Sequence, residues 1–238
     1  MDKQIIIIPT YNERENIERI VPAIFELLPD VFILVVDDNS PDGTAEATTI
    51  LQKNYPHLFL MRRPKKEGLG KAYIDAFRVV LAEKTYDTIT TMDADFSHDP
   101  KCLPEMLEKA KTYDVVVGSR YIKGGGVSKK WKWYRKLLSR GSNVYTSLLL
   151  GFRVHDWTSG FNTMRTERLS RINLDQLETR GYAFVIGLKY RLIKIGASVT
   201  EIPIFFEERR YGISKMTIRV ILANALAIWR IRFRKFIQ

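Results

Sequence analysis

The chain has 238 residues, 38 of them Lys or Arg and 27 Asp or Glu, giving a formal charge of +11. Apolar residues at 45% suffice for a packed core and charged residues at 27% are ordinary, which excludes a disordered, charge-driven chain. One cysteine excludes an internal disulfide framework and fits a reducing compartment, four isoleucines before Pro9 are too few for a signal peptide's apolar core, and no run approaches the ~20 apolar residues of a membrane span.

Residues 5–8 read as a buried strand ending at Pro9. Ile17, Ile20, Val21, Ile24, Leu27 and Leu28 then recur on one helical face. Residues 31–36 read as a second buried strand, 44–53 as a helix, 58–61 as a short strand and 71–83 as a helix. Residues 88–92 form a further strand, 103–111 a helix and 115–117 a strand. Continuous apolar strands alternating with helices predict a parallel sheet covered on both faces, with ligands at the carboxyl ends of the strands. The second half is less regular. Gly124, Gly125 and Gly126 suggest a flexible loop, and the basic and aromatic run 129–136 leads into a helix. Residues 181–195 read as a helix, 199–206 as a strand and 216–236 as a terminal helix rich in arginine near its end. No internal repeat or low-complexity linker divides the chain, so it reads as one domain.

The charge is uneven. Residues 1–119 hold 14 basic and 20 acidic side chains, whereas 120–238 hold 24 and 7. The first half is acidic and the second half is strongly basic. A basic half implies a polyanionic partner: nucleic acid, an anionic membrane surface or a phosphorylated substrate. No helix-turn-helix, zinc or aromatic-sheet motif supports nucleic acid.

The strong polar motifs lie where apolar strands end. They are Pro9-Thr10-Tyr11-Asn12-Glu13, Asp37-Asp38-Asn39-Ser40-Pro41-Asp42-Gly43-Thr44 and Asp93-Ala94-Asp95. Asp42 and Thr44 suit helix capping. Crowded carboxylates at Asp37-Asp38 and at Asp93 and Asp95 need a counter-charge, and a hard divalent cation, Mg²⁺ or Mn²⁺, would supply one while bridging substrate phosphates. His98 suits a capping or supporting role better than ligation. Cys102 reads as a small apolar helix residue. The segment 65–71 is rich in Lys and Gly but lacks Walker spacing.

These three motifs, with Ser97-His98 and Gly118-Ser119-Arg120-Tyr121, resemble family 2 glycosyltransferases. Arg135 to Asn143, Asp156-Trp157-Thr158-Ser159-Gly160-Phe161 and Arg209-Arg210-Tyr211-Gly212-Ile213-Ser214-Lys215 look like the dolichyl-phosphate mannose synthase branch of that family. The resemblance implies an α/β A-type glycosyltransferase fold: a Rossmann-like, mostly parallel sheet flanked by helices, with C-terminal amphipathic helices. It implies metal-dependent, inverting transfer of mannose from GDP-mannose to a polyprenyl or dolichyl monophosphate. A UDP-sugar donor, such as UDP-glucose, and a polysaccharide acceptor are the alternatives.

By the same resemblance, Pro9, Tyr11, Glu13, Val36 and Asp38 match nucleoside-binding positions. Asp93, Ala94 and Asp95 match the diphosphate and metal site, with Asp95 the main ligand and Ser97 where some relatives have Gln. Arg120, Arg209 and Lys215 match catalytic cations around the donor diphosphate, and Arg120, Arg135 and Ser139 the acceptor phosphate. The chain departs from the family at Gly187, where a Glu is frequent, which leaves the sugar open. A monophosphate acceptor is already an anion, so attack needs no general base, and no convincing base stands in the second half.

Trp131, Trp133 and Tyr134 among Lys129, Lys130, Lys132, Arg135 and Lys136 suggest an interfacial surface, rings at headgroup depth and lysines on anionic lipid. Ile218, Ile221, Leu222, Ala225, Ile228, Trp229 and Ile231 can share one apolar face, toward the bilayer or the core. The chain is therefore expected at the cytoplasmic face of a membrane, peripherally bound, with a small membrane-anchoring subunit among its conceivable partners.

Overall fold

Four consecutive isoleucines suit a strand only if both of its faces are covered, because successive side chains point to opposite sides. Ile5, Ile6, Ile7 and Ile8 are at most 2% exposed. They lie in β1 (Gln4–Thr10), with Ile5 and Ile7 in one core layer and Ile6 and Ile8 in the other. Each such side chain contributes about 1.5–3 kcal/mol by burial. The computed structural model describes residues 3–151, 153–179, 181–207 and 218–233.

From β1 the chain alternates through α1 (Arg14–Leu27), β2 (Phe32–Asp37), α2 (Thr44–Leu51), β3 (Leu58–Arg62), α3 (Leu69–Glu83), β4 (Thr88–Thr91), α4 (Leu103–Ala110) and β5 (Val115–Ser119). A short β6 (Gly126–Val127) precedes α5 (Trp133–Leu150), β7 (Asn162–Arg165), α6 (Thr166–Leu169) and α7 (Gly181–Lys194). The last elements are β8 (Val199–Pro203), β9 (Phe205–Phe206) and α8 (Ile218–Phe233).

The main sheet has the order β3-β2-β1-β4-β7-β5-β8. The chain runs outward from β1 to β3 and returns to β4 on the other side of β1. The order therefore reverses between β1 and β4, and the crevice at their carboxyl ends is where such sheets take ligands. Ile17, Ile20 and Ile24 of α1 and Met106 of α4 fill one face of the sheet. Ile74 and Phe77 of α3 and Phe184 and Leu188 of α7 fill the other. Ile228 and Ile231 of α8 join that second layer.

The structure corrects the sequence reading in four places. The sheet is mostly parallel as expected, but one strand was not foreseen: β7 runs antiparallel between β4 and β5. Its polar sequence hides it, since Thr163 Oγ1 bonds Thr90 Oγ1 at 2.8 Å and the buried hydroxyls satisfy one another. The single strand expected over 199–206 is two, because the chain leaves the main sheet after Pro203 and β9 pairs with β6 instead. The glycine run is packed rather than loose: a Cβ on Gly125 would lie 2.5 Å from the Ser119 carbonyl. Trp131, read as interfacial, is buried against Phe206.

Candidate active site

The loops after β1 and β2 build each other. The Thr10 hydroxyl donates to Asp37 Oδ1 at 3.0 Å, and Ser40 N–H and Oγ–H donate to the same carboxylate at 2.9 and 2.5 Å. Asn12 N–H reaches Ser40 Oγ and Glu13 N–H reaches Thr44 Oγ1. Asn12 sits at φ 60°, a left-handed conformation asparagine tolerates better than most residues. Asp42 accepts from Thr44 N–H and Oγ–H, and Arg14 N–H donates to its other oxygen. Burial alone would raise the Asp42 pKa, but those hydrogen bonds outweigh it and hold it below the ordinary carboxylate range.

Asp38 has a counter-charge that is not a metal. Arg63, directly after β3, is buried and ion-paired to it. The same guanidinium bonds Asp75 at 3.1 Å and Glu67 at 3.3 Å, tying the start of α3 to the loop after β2. Burial raises the Asp38 pKa, with Arg63 opposing. A divalent cation at Asp37-Asp38, which the crowded carboxylates suggested, is therefore not needed. The Lys66 ammonium lies 3.5 Å from the centroid of the Tyr11 ring, over the half-exposed face where the nucleoside is expected.

After β4 the chain turns sharply. Phe96 adopts φ 59°, a strained conformation for a bulky side chain, of the kind found at functional loops. Asp95 is buried and accepts from Ser97 N–H at 3.0 Å. Asp93 N–H donates to His98 Nδ1 at 3.0 Å, and the imidazole stacks on Phe161 with centroids 4.9 Å apart. His98 therefore supports the Asp93 backbone. Among the described residues no group of three or more His, Cys, Asp or Glu could hold a metal by itself. The oxygens present are two carboxylates and Ser97 Oγ, which is buried with no hydrogen-bond partner among the described residues. That set fits a hard divalent cation that takes its remaining ligands from a bound diphosphate and water.

Arg120, expected near the donor diphosphate and the acceptor phosphate, is engaged by a carboxylate of its own chain. Its Nε and Nη2 bond the two oxygens of Asp156 at 2.7 and 2.8 Å, and Nη2 also reaches Thr158 Oγ1 at 2.8 Å. The pair is almost wholly buried. Burial opposes both charges, yet the attraction of Arg120 holds the Asp156 pKa low. Asp156 is thus a fixed anion and no general base.

Helix α5 carries the expected acceptor residues. The Arg135 guanidinium lies 3.8 Å from the Trp131 ring centroid, and Ser139 Oγ accepts from Tyr121 Oη at 2.6 Å. Four residues on, Asn143 Nδ2 donates to the Ser139 carbonyl and to Thr158 Oγ1. Trp133 is 75% exposed, and Leu137, Val144 and Leu148 continue the same exposed stripe. Beside it α8 exposes Leu226, Trp229 and Phe233. The helices are joined by Tyr145 Oη donating to the Ala225 carbonyl at 3.4 Å.

Arg209 and Lys215 lie outside the described residues, as do Arg210 to Ser214. Pro9, Tyr11, Glu13, Val36 and Asp38 gather at the carboxyl ends of β1 and β2, and Asp93, Ala94, Asp95 and Ser97 just beyond β4. Position 187, the departure from the family, faces Ile231 of α8: a Cβ there would meet it at 3.6 Å. Cys102 is half-buried, and burial pushes its thiol up to about 11, so it is no nucleophile. Sequence reasoning gave no role to Arg63, Asn143, Phe206 or Lys189. Arg63 directly follows β3 and Asn143 closes the motif 135–143, but their pairing with Asp38 and Thr158 carries no sequence signal.

A model of Glycosyl transferase family 2 matches residues 5–172. The chain is 43% identical over 237 residues to polyprenol monophosphomannose synthase from Mycolicibacterium smegmatis, covering 98% of this chain and 88% of that protein. It is 40% identical over 211 residues to undecaprenyl-phosphate mannosyltransferase from Micrococcus luteus, covering 89% and 86%. Among solved structures, glucosyl-3-phosphoglycerate synthase from Mycobacterium tuberculosis, in complex with Mn²⁺, UDP and phosphoglyceric acid, superposes with a TM-score of 0.67. That likeness is at 16% identity and covers 97% of this chain and 77% of the other, so it bears on the fold alone. Sequence motifs, sheet order and full-length relatives agree, and the chain belongs to family 2 of the glycosyltransferases, with the A-type fold.

Proposed function

We propose that the enzyme transfers mannose from GDP-mannose to a polyprenyl or dolichyl monophosphate, inverting the anomeric centre, at the cytoplasmic face of a membrane. The observation that carries the reading is the near-full-length likeness to two relatives named for mannose transfer to polyprenol phosphates. The chemistry of the site supports it. The buried carboxylate on the acceptor side, Asp156, is held ionised by Arg120, which suits an acceptor that arrives already deprotonated.

In this reading residues 1–119 hold the donor and 120–238 the acceptor. Pro9, Tyr11, Glu13, Val36 and Asp38 bind the nucleoside. Asp93, Ala94 and Asp95 hold the diphosphate, and Asp93, Asp95 and Ser97 would hold Mg²⁺ or Mn²⁺. When bound, such a cation stabilises the charge that develops on the departing diphosphate. Arg209 and Lys215 assist there. Arg135 and Ser139 hold the acceptor phosphate, and Arg120 shapes that subsite through Asp156. The exposed apolar faces of α5 and α8, edged by lysine and arginine, rest on the bilayer, and a small anchoring subunit would meet the same faces.

The test is transfer of label from GDP-[¹⁴C]mannose to polyprenyl phosphate with Mg²⁺ or Mn²⁺. Labelled lipid is the expected product, and its loss under EDTA would support the metal. Label from UDP-glucose but not from GDP-mannose would overturn the donor.

A further inference from the structure

A buried lysine lies behind the site, its ammonium pulled down to about 7 by burial, and the sugar-transfer reading gives it no task. Lys189 of α7 is 1% exposed. Its Nζ donates to the Ser159 carbonyl at 2.7 Å and to Asn162 Oδ1 at 3.3 Å. Burying an ammonium is costly even when its donors are satisfied, whereas a leucine or methionine would fill the same helix–sheet space without that cost. Packing alone does not explain a lysine here.

What it grips suggests the reason. Ser159 belongs to segment 156–161, which reaches both sides of the site. On the acceptor side Asp156 holds Arg120, and Thr158 is bonded to Asn143 of α5 through both its hydroxyl and its N–H. Asn143 in turn holds the Ser139 carbonyl. On the donor side Phe161 stacks on His98, which receives the Asp93 N–H. The Gly160 carbonyl between them accepts from Thr91 at the end of β4.

We propose that Lys189 is a positioning residue for sugar transfer: by gripping Ser159 and Asn162 it holds segment 156–161 where Arg120 and Asn143 on one side and Phe161 and His98 on the other align acceptor with donor. The inference rests on the transfer reaction argued above. Lys189 touches neither substrate expected at the site, so its loss acts on alignment rather than on donor affinity. Misalignment of about 1 Å costs on the order of 100-fold in rate.

The test compares full-length Lys189→Met and Lys189→Gln with wild type in the GDP-mannose assay, and measures amide hydrogen exchange over 156–161 without substrate. In Lys189→Met, kcat should fall roughly 30- to 100-fold while KM for GDP-mannose stays within about threefold, and exchange over 156–161 should accelerate. Lys189→Gln keeps a shorter, uncharged donor and should recover part of kcat. A folded Lys189→Met with near wild-type kcat, a loss confined to KM, or unchanged exchange overturns the proposal. A lower Tm with unaltered kcat per folded enzyme assigns Lys189 to stability and overturns it equally. If Lys189→Met does not fold, Lys189→Gln carries the test: a smaller loss of kcat with faster exchange over 156–161 is expected, and wild-type kcat with unchanged exchange overturns the proposal. A wild type active only with UDP-glucose overturns the donor assignment instead, and the kcat comparison is then made with that sugar nucleotide.

Discussion

Asp95 and Asp156 are both buried carboxylates, and their partners separate their roles. Asp95 lies beside Ser97 Oγ, a buried hydroxyl with no hydrogen-bond partner among the described residues, on a turn where Phe96 is strained. Removing it should cost several kcal/mol of transition-state stabilisation, on the order of 10³-fold in kcat. Asp95→Ala should therefore abolish most labelled lipid while keeping its fold by circular dichroism, and full activity would sink the metal assignment. Asp156 is already satisfied by Arg120 and by the Arg120 N–H at 3.1 Å. Asp156→Asn leaves a buried guanidinium without its counter-charge and should lower unfolding stability by about 3–5 kcal/mol in urea titrations. The sign with pH follows from its lowered pKa. The pair stabilises the fold above the unfolded carboxylate value, near about 4, and that contribution is lost as pH falls through the folded value. Asp156→Asn should thus be less stable than wild type at neutral pH and show a shallower loss in acid. Parallel acid limbs would contradict the ion-pair account.

At the scale of elements, the strands that sequence finds are those whose side chains are apolar on both faces. β1 needs only its four isoleucines, and β2 and β5 follow the same rule. β7 escapes because a strand of Asn, Thr, Met and Arg reads as a loop until Thr90 stands opposite Thr163. The site was legible to the same degree. Loops that begin where an apolar strand ends announce themselves, which exposes Asp38 and Asp95. Partners that arrive from distant elements, such as Arg63 for Asp38 and Asp156 for Arg120, do not. Trp131 and Trp133 make the contrast within one segment: two residues apart, one is folded under Phe206 and the other is open. The exposed stripe of α5 carries its own prediction. Trp133→Ser with Leu137→Ser removes two side chains worth about 1.5–3 kcal/mol each on burial. Sedimentation with lipid vesicles should show binding weakened by well over tenfold, with an unchanged melting temperature. Unaltered binding would mean that the α5 face does not enter the bilayer.

For the whole molecule, the net charge of +11 hides an acidic first half and a basic second half. β5 of the first half lies between β7 and β8 of the second, so strands of the two halves interleave in one sheet. The acidic loops meet at the crevice between β1 and β4. Exposed Lys129, Lys130, Lys132 and Arg140 flank the open face of α5, and Arg230 and Arg232 flank that of α8. Among the described residues no helix is long and apolar enough to cross a membrane; in the membrane-bound reading proposed above, α5 and α8 would lie at the interface. Two forces would act there and respond differently to salt. Each basic residue near anionic lipid adds about 1 kcal/mol, which screening weakens, while burial of Trp133 and its neighbours is insensitive to screening. Binding to vesicles containing phosphatidylglycerol should therefore fall at least about tenfold between low salt and roughly 0.5 M NaCl, then level at the value measured on phosphatidylcholine. The serine double variant should lower both the salt-sensitive range and the plateau. Equal binding to the two lipids at low salt would show that the basic half serves the phosphate subsite alone and leaves the bilayer to the apolar stripes.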